Sequence, residues 1–144
     1  MKGLPGSSRR PVSARRVRPV AVPVPLERAV QREIREMLGA FGFGTFHIPN
    51  GAQLAGDPKS RARQMRALRG DGLVPGFPDL GVIGLPYGIS RGGVGFLEVK
   101  RARGGKVSAA QGACHAWLQE RGVRLAVVRS ADEAIAALYD WGWL

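Results

Sequence analysis

Two short segments, GFPDL at residues 76–80 and GFLEVK at residues 95–100, decide how this chain is expected to fold. The second segment is apolar except for its glycine, Glu98 and Lys100, which predicts a strand buried on most sides. Successive side chains of a strand point to opposite faces. Glu98 and Lys100 therefore share one face, and Val99 points to the other.

A carboxylate and an ammonium group in a buried strand are costly unless something pairs with them. Two interpretations meet that demand. Asp79 and Glu98 could hold a divalent cation with Lys100 beside it, a site suited to hydrolysing a phosphodiester. Alternatively, Glu98 and Lys100 form a buried ion pair that only supports the sheet.

The segment around Asp79 favours the first interpretation. Residues 80–83 read as a strand, and the Gly/Pro-rich connection that follows predicts an antiparallel hairpin with the strand at residues 93–100. Asp79 and Glu98 lie near opposite sequence ends of this hairpin. Strand pairing would therefore bring them together at one edge.

Composition limits the class of protein. A chain of 144 residues suits one domain, and a net charge of +11 with a pI near 11.3 indicates a polyanionic partner, nucleic acid first and an anionic membrane surface second. Cys114 is the only cysteine, which excludes an intrachain disulfide and a cysteine-based zinc cluster. No apolar run approaches the roughly 18–20 residues that span a bilayer. We expect a cytoplasmic protein with no membrane segment.

The N-terminal part divides into an arm and a helix. Residues 1–24 are basic, contain no acid and are rich in Pro, Ser and Gly, which predicts a flexible arm ahead of a domain at residues 25–144. Apolar residues at helical spacing predict an amphipathic helix over residues 25–39, stopped by Gly39. Glu27 and Gln31 lie one turn apart on a neighbouring face, where an ordinary solvated surface would explain them.

A short strand and a basic helix are expected next. Residues 44–48 alternate like a strand, with His47 interpreted as a satisfied sheet histidine. Five cations fall within residues 59–69 between apolar residues at helical spacing, which suits phosphate positioning by a helix docked through its apolar side. A solvated surface helix is the alternative.

The remaining elements complete an α/β fold. Ser108 with Gln111 predicts a capping box for a helix over residues 109–121, a role for Gln111 that needs no catalysis, and the same helix places Cys114 in the core. Residues 124–128 predict a buried strand. Ser130 and Glu133 predict a capping box for a closing helix, after which two tryptophans, Trp141 and Trp143, seal the core. The expected order is α-β-β-β-α-β-α around a mixed sheet flanked by helices.

Taken in order, these elements resemble the VRR-NUC nucleases, a branch of the PD-(D/E)xK restriction-endonuclease-like superfamily. The features that carry the resemblance, over roughly residues 25–138, are Glu27 with Gln31, IPNG at residues 48–51, GFPDL at 76–80, EVK at 98–100, GKVS at 105–108 with Gln111, and the VVRS ending at 127–130. The resemblance implies a restriction-endonuclease-like core and metal-dependent DNA cleavage, in a family linked to replication, repair and phage genomes. Members of this size look like homodimers that cut branched DNA such as four-way junctions.

The resemblance also implies roles for particular residues. Asp79, Glu98 and the backbone carbonyl of Val99 match the metal ligands, and Glu27 matches an acid that holds the metal directly or through water. Lys100 matches the lysine that positions the attacking water or offsets developing charge, and Gln111 matches a glutamine near the active site. Oxygen ligands suit Mg²⁺ or Mn²⁺. The candidate DNA-binding residues are Asn50, Lys59, Arg61, Arg63, Arg66, Arg69, Arg101 and Lys106.

Two other functions stay open. The chain could be a non-catalytic basic module that binds DNA through its charge, or a nuclease for ordinary duplex or single-stranded DNA. The complete set of Asp79, Glu98 and Lys100 argues against the first. Nothing in the sequence separates the second from a nuclease of branched DNA.

Overall fold

The structure, a computed structural model, describes residues 26–49, 54–84 and 93–144. Its elements are α1 (Glu27–Ala40), β1 (Gly44–His47), α2 (Pro58–Gly70), β2 (Leu80–Gly84), β3 (Gly93–Val99), α3 (Ala109–Gln119), β4 (Arg124–Val128) and α4 (Ala131–Asp140). The expectations for the N-terminal arm, for Asn50 and for the β2–β3 connection lie outside the described residues.

The four described strands form one mixed sheet in the order β1-β2-β3-β4. β1 pairs with β2, and β2 with β3, in antiparallel fashion, whereas β3 and β4 run parallel. The parallel pair follows from the crossover through α3, since parallel neighbours need a long connection. Leu80 lies opposite Leu97, which confirms the predicted antiparallel pairing of β2 with β3, and the parallel pairing of β3 with β4 confirms the mixed sheet.

The predicted element order is wrong at one point, because α2 lies between β1 and β2. Local signals start this helix. The Asp57 carboxylate accepts hydrogen bonds from the backbone N–H groups of Lys59 and Ser60, and Pro58 takes the first position. None of its side chains is buried, and Met65 and Leu68 are only half-buried. The basic helix is therefore more solvated than its predicted docking requires.

The core lies between the sheet and the helices α1 and α4. Alternate residues of the strands point into it with the apolar faces of both helices, and its largest members are Trp143, Ile34, Leu38, Leu80, Leu97 and Leu138. Trp143 packs so closely on β3 that a Cβ at Gly93 would lie 2.6 Å from its ring. Trp141 packs in the same way on Gly95. The prediction that the two tryptophans seal the core is confirmed.

Three smaller expectations are corrected. The first helix runs from Glu27 to Ala40, past Gly39. The strand Arg124–Val128 has the predicted bounds, yet only Val128 is buried, because β4 lies at the edge of the sheet. Ser130 caps α4 as predicted, but the Glu133 carboxylate accepts from the N–H of Arg129 rather than of Ser130.

None of the helices in the described ranges is long and apolar enough to cross a membrane.

Candidate active site

The β2–β3 hairpin brings the two predicted acids to one end of the sheet. Asp79 immediately precedes β2, and its Oδ2 accepts a hydrogen bond of 3.2 Å from the backbone N–H of Val99. Phe77 packs edge-on against Phe96 of β3, with ring centroids 5.0 Å apart, which fixes the segment before Asp79 to its partner strand. The predicted convergence of Asp79 with the Glu98 strand is confirmed.

Glu98 is fully buried and is the centre of a polar cluster. Its Oε1 lies 2.6 Å from Lys100 Nζ and accepts a 2.6 Å hydrogen bond from Gln111 Nε2. Lys100 is only 7% exposed, so each of the two buried charges is paired with the other, as the cost of burying an unpaired charge requires. The pair is the one that the purely structural interpretation predicts, and a Lys100 ammonium group beside Glu98 also fits the interpretation as a cation site.

Gln111 links the start of α3 to Glu98. Its Oε1 accepts from the backbone N–H of Ser108 at 2.8 Å, and Ser108 Oγ accepts from the N–H of Gln111 at 3.2 Å. The predicted capping box is thus confirmed. The same side chain still has its amide N–H free to donate to Glu98, so the structural role and the contact with the candidate site coexist.

Burial dominates the electrostatics of this cluster. Loss of solvation raises the pKa of Glu98 from 4.5 to about 7, against the hydrogen bond from Lys100, which lowers it. The neighbouring Asp79 carboxylate raises that pKa further, through its charge and as a hydrogen-bond partner. A buried carboxylate whose ionisation is disfavoured by burial and by a neighbouring carboxylate is one that a bound cation would stabilise.

His115 belongs to this cluster and was missed in the sequence. It is 6% exposed, and its Nε2 lies 3.5 Å from Glu98 Oε2, too far for a well-formed hydrogen bond. Within the described part of the chain neither atom has a hydrogen-bond partner. Burial lowers the pKa of His115, which favours the neutral ring. The available signal was its spacing of four residues from Gln111, which puts both on one face of α3.

The adjacent Cys114 is buried, as predicted for a core residue. Burial raises the pKa of its thiol, and the charge of Glu98 raises it further. Both effects oppose formation of a thiolate, so Cys114 is unsuited to act as a nucleophile.

On the other side of the sheet, His47 supports Asp79 through the backbone. His47 Nδ1 lies 3.1 Å from the carbonyl oxygen of Asp79, which also accepts a 2.8 Å hydrogen bond from the N–H of Ile48. Gln31 Nε2 lies 2.9 Å from the same ring nitrogen. The interpretation of His47 as a satisfied sheet histidine is confirmed, and Gln31 on α1 is its partner.

Glu27 is exposed in the first turn of α1. It continues the spacing of Val30 and Ile34, so it points to the sheet side of the helix. Because α1 leads into β1 through a tight turn and runs back along it, this first turn lies towards the end of the sheet where His47 meets Asp79. Gln31 contacts His47, which in turn contacts the backbone of Asp79, and Glu27 lies one helical turn before Gln31.

The predicted cations with described positions are all exposed. Lys59, Arg61, Arg63, Arg66 and Arg69 lie on α2, and Arg101 and Lys106 lie in the loop after β3. This loop closes tightly over Lys100, since a Cβ at Gly105 would lie 3.0 Å from the Lys100 Cβ. Asn50 lies outside the described residues.

The donor atoms at the site fit a hard cation. No group of three or more His, Cys, Asp or Glu side chains suited to a metal occurs among the described residues, so a cation here would rely on backbone and water ligands as well. Asp79 and Glu98 supply carboxylates, and Glu98 Oε2 is a buried acceptor without a hydrogen bond. The N–H and C=O of a strand residue point to the same edge, which directs the Val99 carbonyl towards Asp79. Such oxygen donors suit Mg²⁺ or Mn²⁺.

No match to the chain was found among protein-family models, curated proteins or solved structures.

Proposed function

We propose that this chain is a Mg²⁺- or Mn²⁺-dependent endodeoxyribonuclease with a restriction-endonuclease-like core. The observation that carries the proposal is the close approach of Asp79 and Glu98 at one end of the β2–β3 hairpin, with Glu98 fully buried against Lys100. A fully buried carboxylate with a second carboxylate beside it is unfavourable in a merely structural position. It is favourable where a cation binds.

Each residue of the cluster has a role in this mechanism. Asp79, Glu98 and the Val99 carbonyl would hold the cation, with Glu27 reaching it through a water molecule. When bound, the cation lowers the pKa of a coordinated water and neutralises charge on the phosphate. Lys100 stabilises the negative charge that develops in the transition state, an effect of about 3–4 kcal/mol for one well-placed donor. Gln111 orients the Glu98 carboxylate.

The exposed cations supply the DNA contacts. Five of them follow α2, and Arg101 and Lys106 stand in the loop directly after Lys100. Contacts of this kind position the phosphate backbone and carry no base preference. Branched DNA as the preferred substrate, and a homodimer that makes paired cuts, are proposed from the resemblance to VRR-NUC nucleases.

One observation favours a second candidate, a non-catalytic DNA-binding module. Glu98 Oε1 is already paired with both Lys100 and Gln111, as a purely structural carboxylate would be. A cleavage test therefore has to distinguish the two functions directly.

The experiment incubates the protein with Mg²⁺ or Mn²⁺ and end-labelled four-way junction, flap, duplex and single-stranded DNA. The matched control is Asp79→Asn, which removes the charge and keeps the shape. Paired nicks near the branch point that disappear in the variant are the expected result. Equal cleavage of all substrates would retain the nuclease and contradict the branched-DNA preference, whereas binding without cleavage under either metal would leave the DNA-binding module.

Dimerisation is tested separately by sedimentation velocity with and without four-way junction DNA. A mass of two chains per junction is expected. A single chain on the junction would contradict resolution by paired cuts and would leave the hydrolytic proposal intact.

A further inference from the structure

A second polar concavity lies between α1 and β1, on the face of the sheet opposite α3. This surface cavity of about 380 Å³ is lined by Arg28, Gln31, Arg32, Arg35 and His47. We call it the arginine pocket. None of its three arginines is among the cations selected from the sequence.

The three arginines converge because of helix geometry. Arg28, Arg32 and Arg35 are spaced by four and three residues, which places them on one face of α1 around Gln31. In the sequence they are interleaved with the same number of glutamates, so the segment shows little net charge. Only the folded helix gathers the positive side chains along one cavity.

These cations lack the partners that would neutralise them. In the described ranges no carboxylate lies within salt-bridge distance of any of the three. Arg35 Nε donates to Thr45 Oγ1 at 3.2 Å, which fixes one wall of the pocket with a neutral acceptor. Like charges one turn apart on a helix repel each other. A bound anion would relieve that repulsion.

The pocket adjoins the candidate active site at His47, whose Nδ1 either accepts a hydrogen bond from Gln31 or donates one to the backbone of Asp79. Gln31 Nε2 lies 2.9 Å from His47 Nδ1, and the same ring nitrogen lies 3.1 Å from the backbone carbonyl of Asp79. His47, which lines the pocket, therefore lies against the backbone of Asp79, one of the two proposed metal-binding acids. A group seated there would lie beside the end of the sheet at which the proposed cleavage takes place.

We propose that the arginine pocket binds a phosphate group of the DNA strand, next to the phosphate that is cleaved. Guanidinium groups form bidentate, charge-assisted hydrogen bonds with phosphate oxygens. Exposed arginines on a helix, with a histidine and an amide between them, offer several such donors. This inference rests on the proposed function for its DNA partner, and it assigns the DNA contact to a surface distinct from α2.

The test is DNA binding in EDTA, where cleavage cannot occur. The double variant Arg28→Ala/Arg32→Ala leaves Arg35 and its contact with Thr45 in place. Fluorescence anisotropy with labelled duplex and four-way junction is measured over a series of salt concentrations. Each lost phosphate contact reduces the slope of log Kobs against log salt by about 0.9, so loss of the one phosphate that the pocket binds should lower the slope by about 1 and weaken binding at low salt about tenfold.

Two further variants separate the pocket from general charge. Arg121→Ala/Arg124→Ala removes the same charge at the opposite end of the sheet, where Arg124 pairs with Gly95, and should leave the slope near the wild-type value. Arg28→Lys/Arg32→Lys keeps the charge without the guanidinium fork and should retain the slope with weaker binding. Thermal melting of each variant verifies that the fold is intact.

The source of the phosphate is resolved by comparing nicked DNA that carries a 5′-phosphate or a 5′-hydroxyl at the nick. Equal weakening for both identifies an internal backbone phosphate, and weakening only for the phosphorylated nick identifies a terminal one. Inorganic phosphate should compete with DNA for wild-type protein more effectively than for the double variant.

Three outcomes have distinct meanings. If Arg28→Ala/Arg32→Ala and Arg121→Ala/Arg124→Ala weaken DNA binding equally, the pocket proposal is overturned. Cleavage by the wild type would still support the proposed function. If the wild type binds DNA through the pocket and never cleaves, the nuclease proposal fails and the pocket stands. Wild-type protein that does not bind DNA overturns both.

Discussion

His115 Nε2 and Glu98 Oε2 face each other across 3.5 Å inside the protein, and neither atom has another hydrogen-bond partner in the described part of the chain. A buried acceptor without a hydrogen bond costs free energy comparable to a lost hydrogen bond. The other oxygen of the same carboxylate, Glu98 Oε1, contacts Lys100 and Gln111. A small movement of Glu98 towards a bound cation, or of the His115 imidazole towards the carboxylate, would give Glu98 Oε2 a partner. His115 is therefore expected to position the carboxylate.

Replacing His115 tests this role. His115→Ala should lower cleavage by about 10–100-fold and raise the Mg²⁺ concentration required, the usual effect of losing a group that orients a metal ligand. His115→Gln, which restores a side-chain donor, should recover part of the activity. Cys114→Ala is the matched control, since it removes a buried neighbour and should lower the melting temperature without changing the metal requirement. The same metal requirement in all variants would make His115 only a packing residue.

Lys100 is predicted to act in chemistry rather than in binding. Lys100→Ala should reduce cleavage by orders of magnitude and leave DNA affinity in EDTA nearly unchanged, because its ammonium group is buried against Glu98. Lys106→Ala, at an exposed position of the following loop, should weaken DNA affinity in EDTA and leave the cleavage rate of bound DNA nearly unchanged. Cleavage near the wild-type rate in Lys100→Ala would remove this residue from the mechanism.

The raised pKa of Glu98 predicts a pH-dependent stability of the metal-free protein. The folded state holds the proton up to about pH 7, whereas the unfolded chain releases it near 4.5. Between these values the folded state binds more protons, so the free energy of unfolding falls as pH rises, by ~3 kcal/mol in all. Urea denaturation in EDTA at about pH 5 and pH 8 measures this change. Glu98→Gln should flatten the profile, and an unaltered profile in that variant would contradict the assignment.

The cations of α2 should contribute to DNA binding without contributing to stability. Arg61, Arg63 and Arg66 are exposed, and no side chain of the helix is buried. Changing all three to Gln should reduce the salt slope of DNA binding by about 3 and change stability by less than about 0.5 kcal/mol per site. Arg121→Ala/Arg124→Ala, which removes two charges instead of three, serves as the comparison when the change in slope is expressed per charge removed. A salt slope equal to that of the wild type would show that α2 does not contact the DNA phosphates.

Gly76 predicts a structural sensitivity in the segment before Asp79. Its φ of +76° lies in the left-handed region, and a Cβ there would come within 2.5 Å of the backbone of Ala110. Gly76→Ala should destabilise the fold by more than about 2 kcal/mol and reduce cleavage, because α3 must move away from the site. Gly72→Ala is the matched control, with a φ of +100° and open space around it, and should cost only about 1 kcal/mol. Equal losses in urea denaturation would rule out the contact with α3.

Much of the candidate site could be predicted because hairpin pairing is a local property. Alternation in residues 94–99 separated Glu98 from Val99, and two adjacent strands with a short connection had to place Asp79 near Glu98. The cap of α3 was equally local, so Ser108 and Gln111 were paired correctly. Spacing also indicated the helix α2, which the predicted element order left out, but it could not show that this helix lies exposed, with no buried side chain and with its own cap at Asp57.

The sequence by itself determined the hairpin, the capping box of α3, the burial of Glu98 and the strongly basic character of the chain. These follow from the period of apolar residues and from the cost of a buried charge, which neighbouring residues suffice to express. Only the tertiary structure decided that His115 faces Glu98 and that three arginines of α1 line one pocket beside His47. Both depend on where a helix lies across the sheet, and that placement is set by packing between residues far apart in the chain.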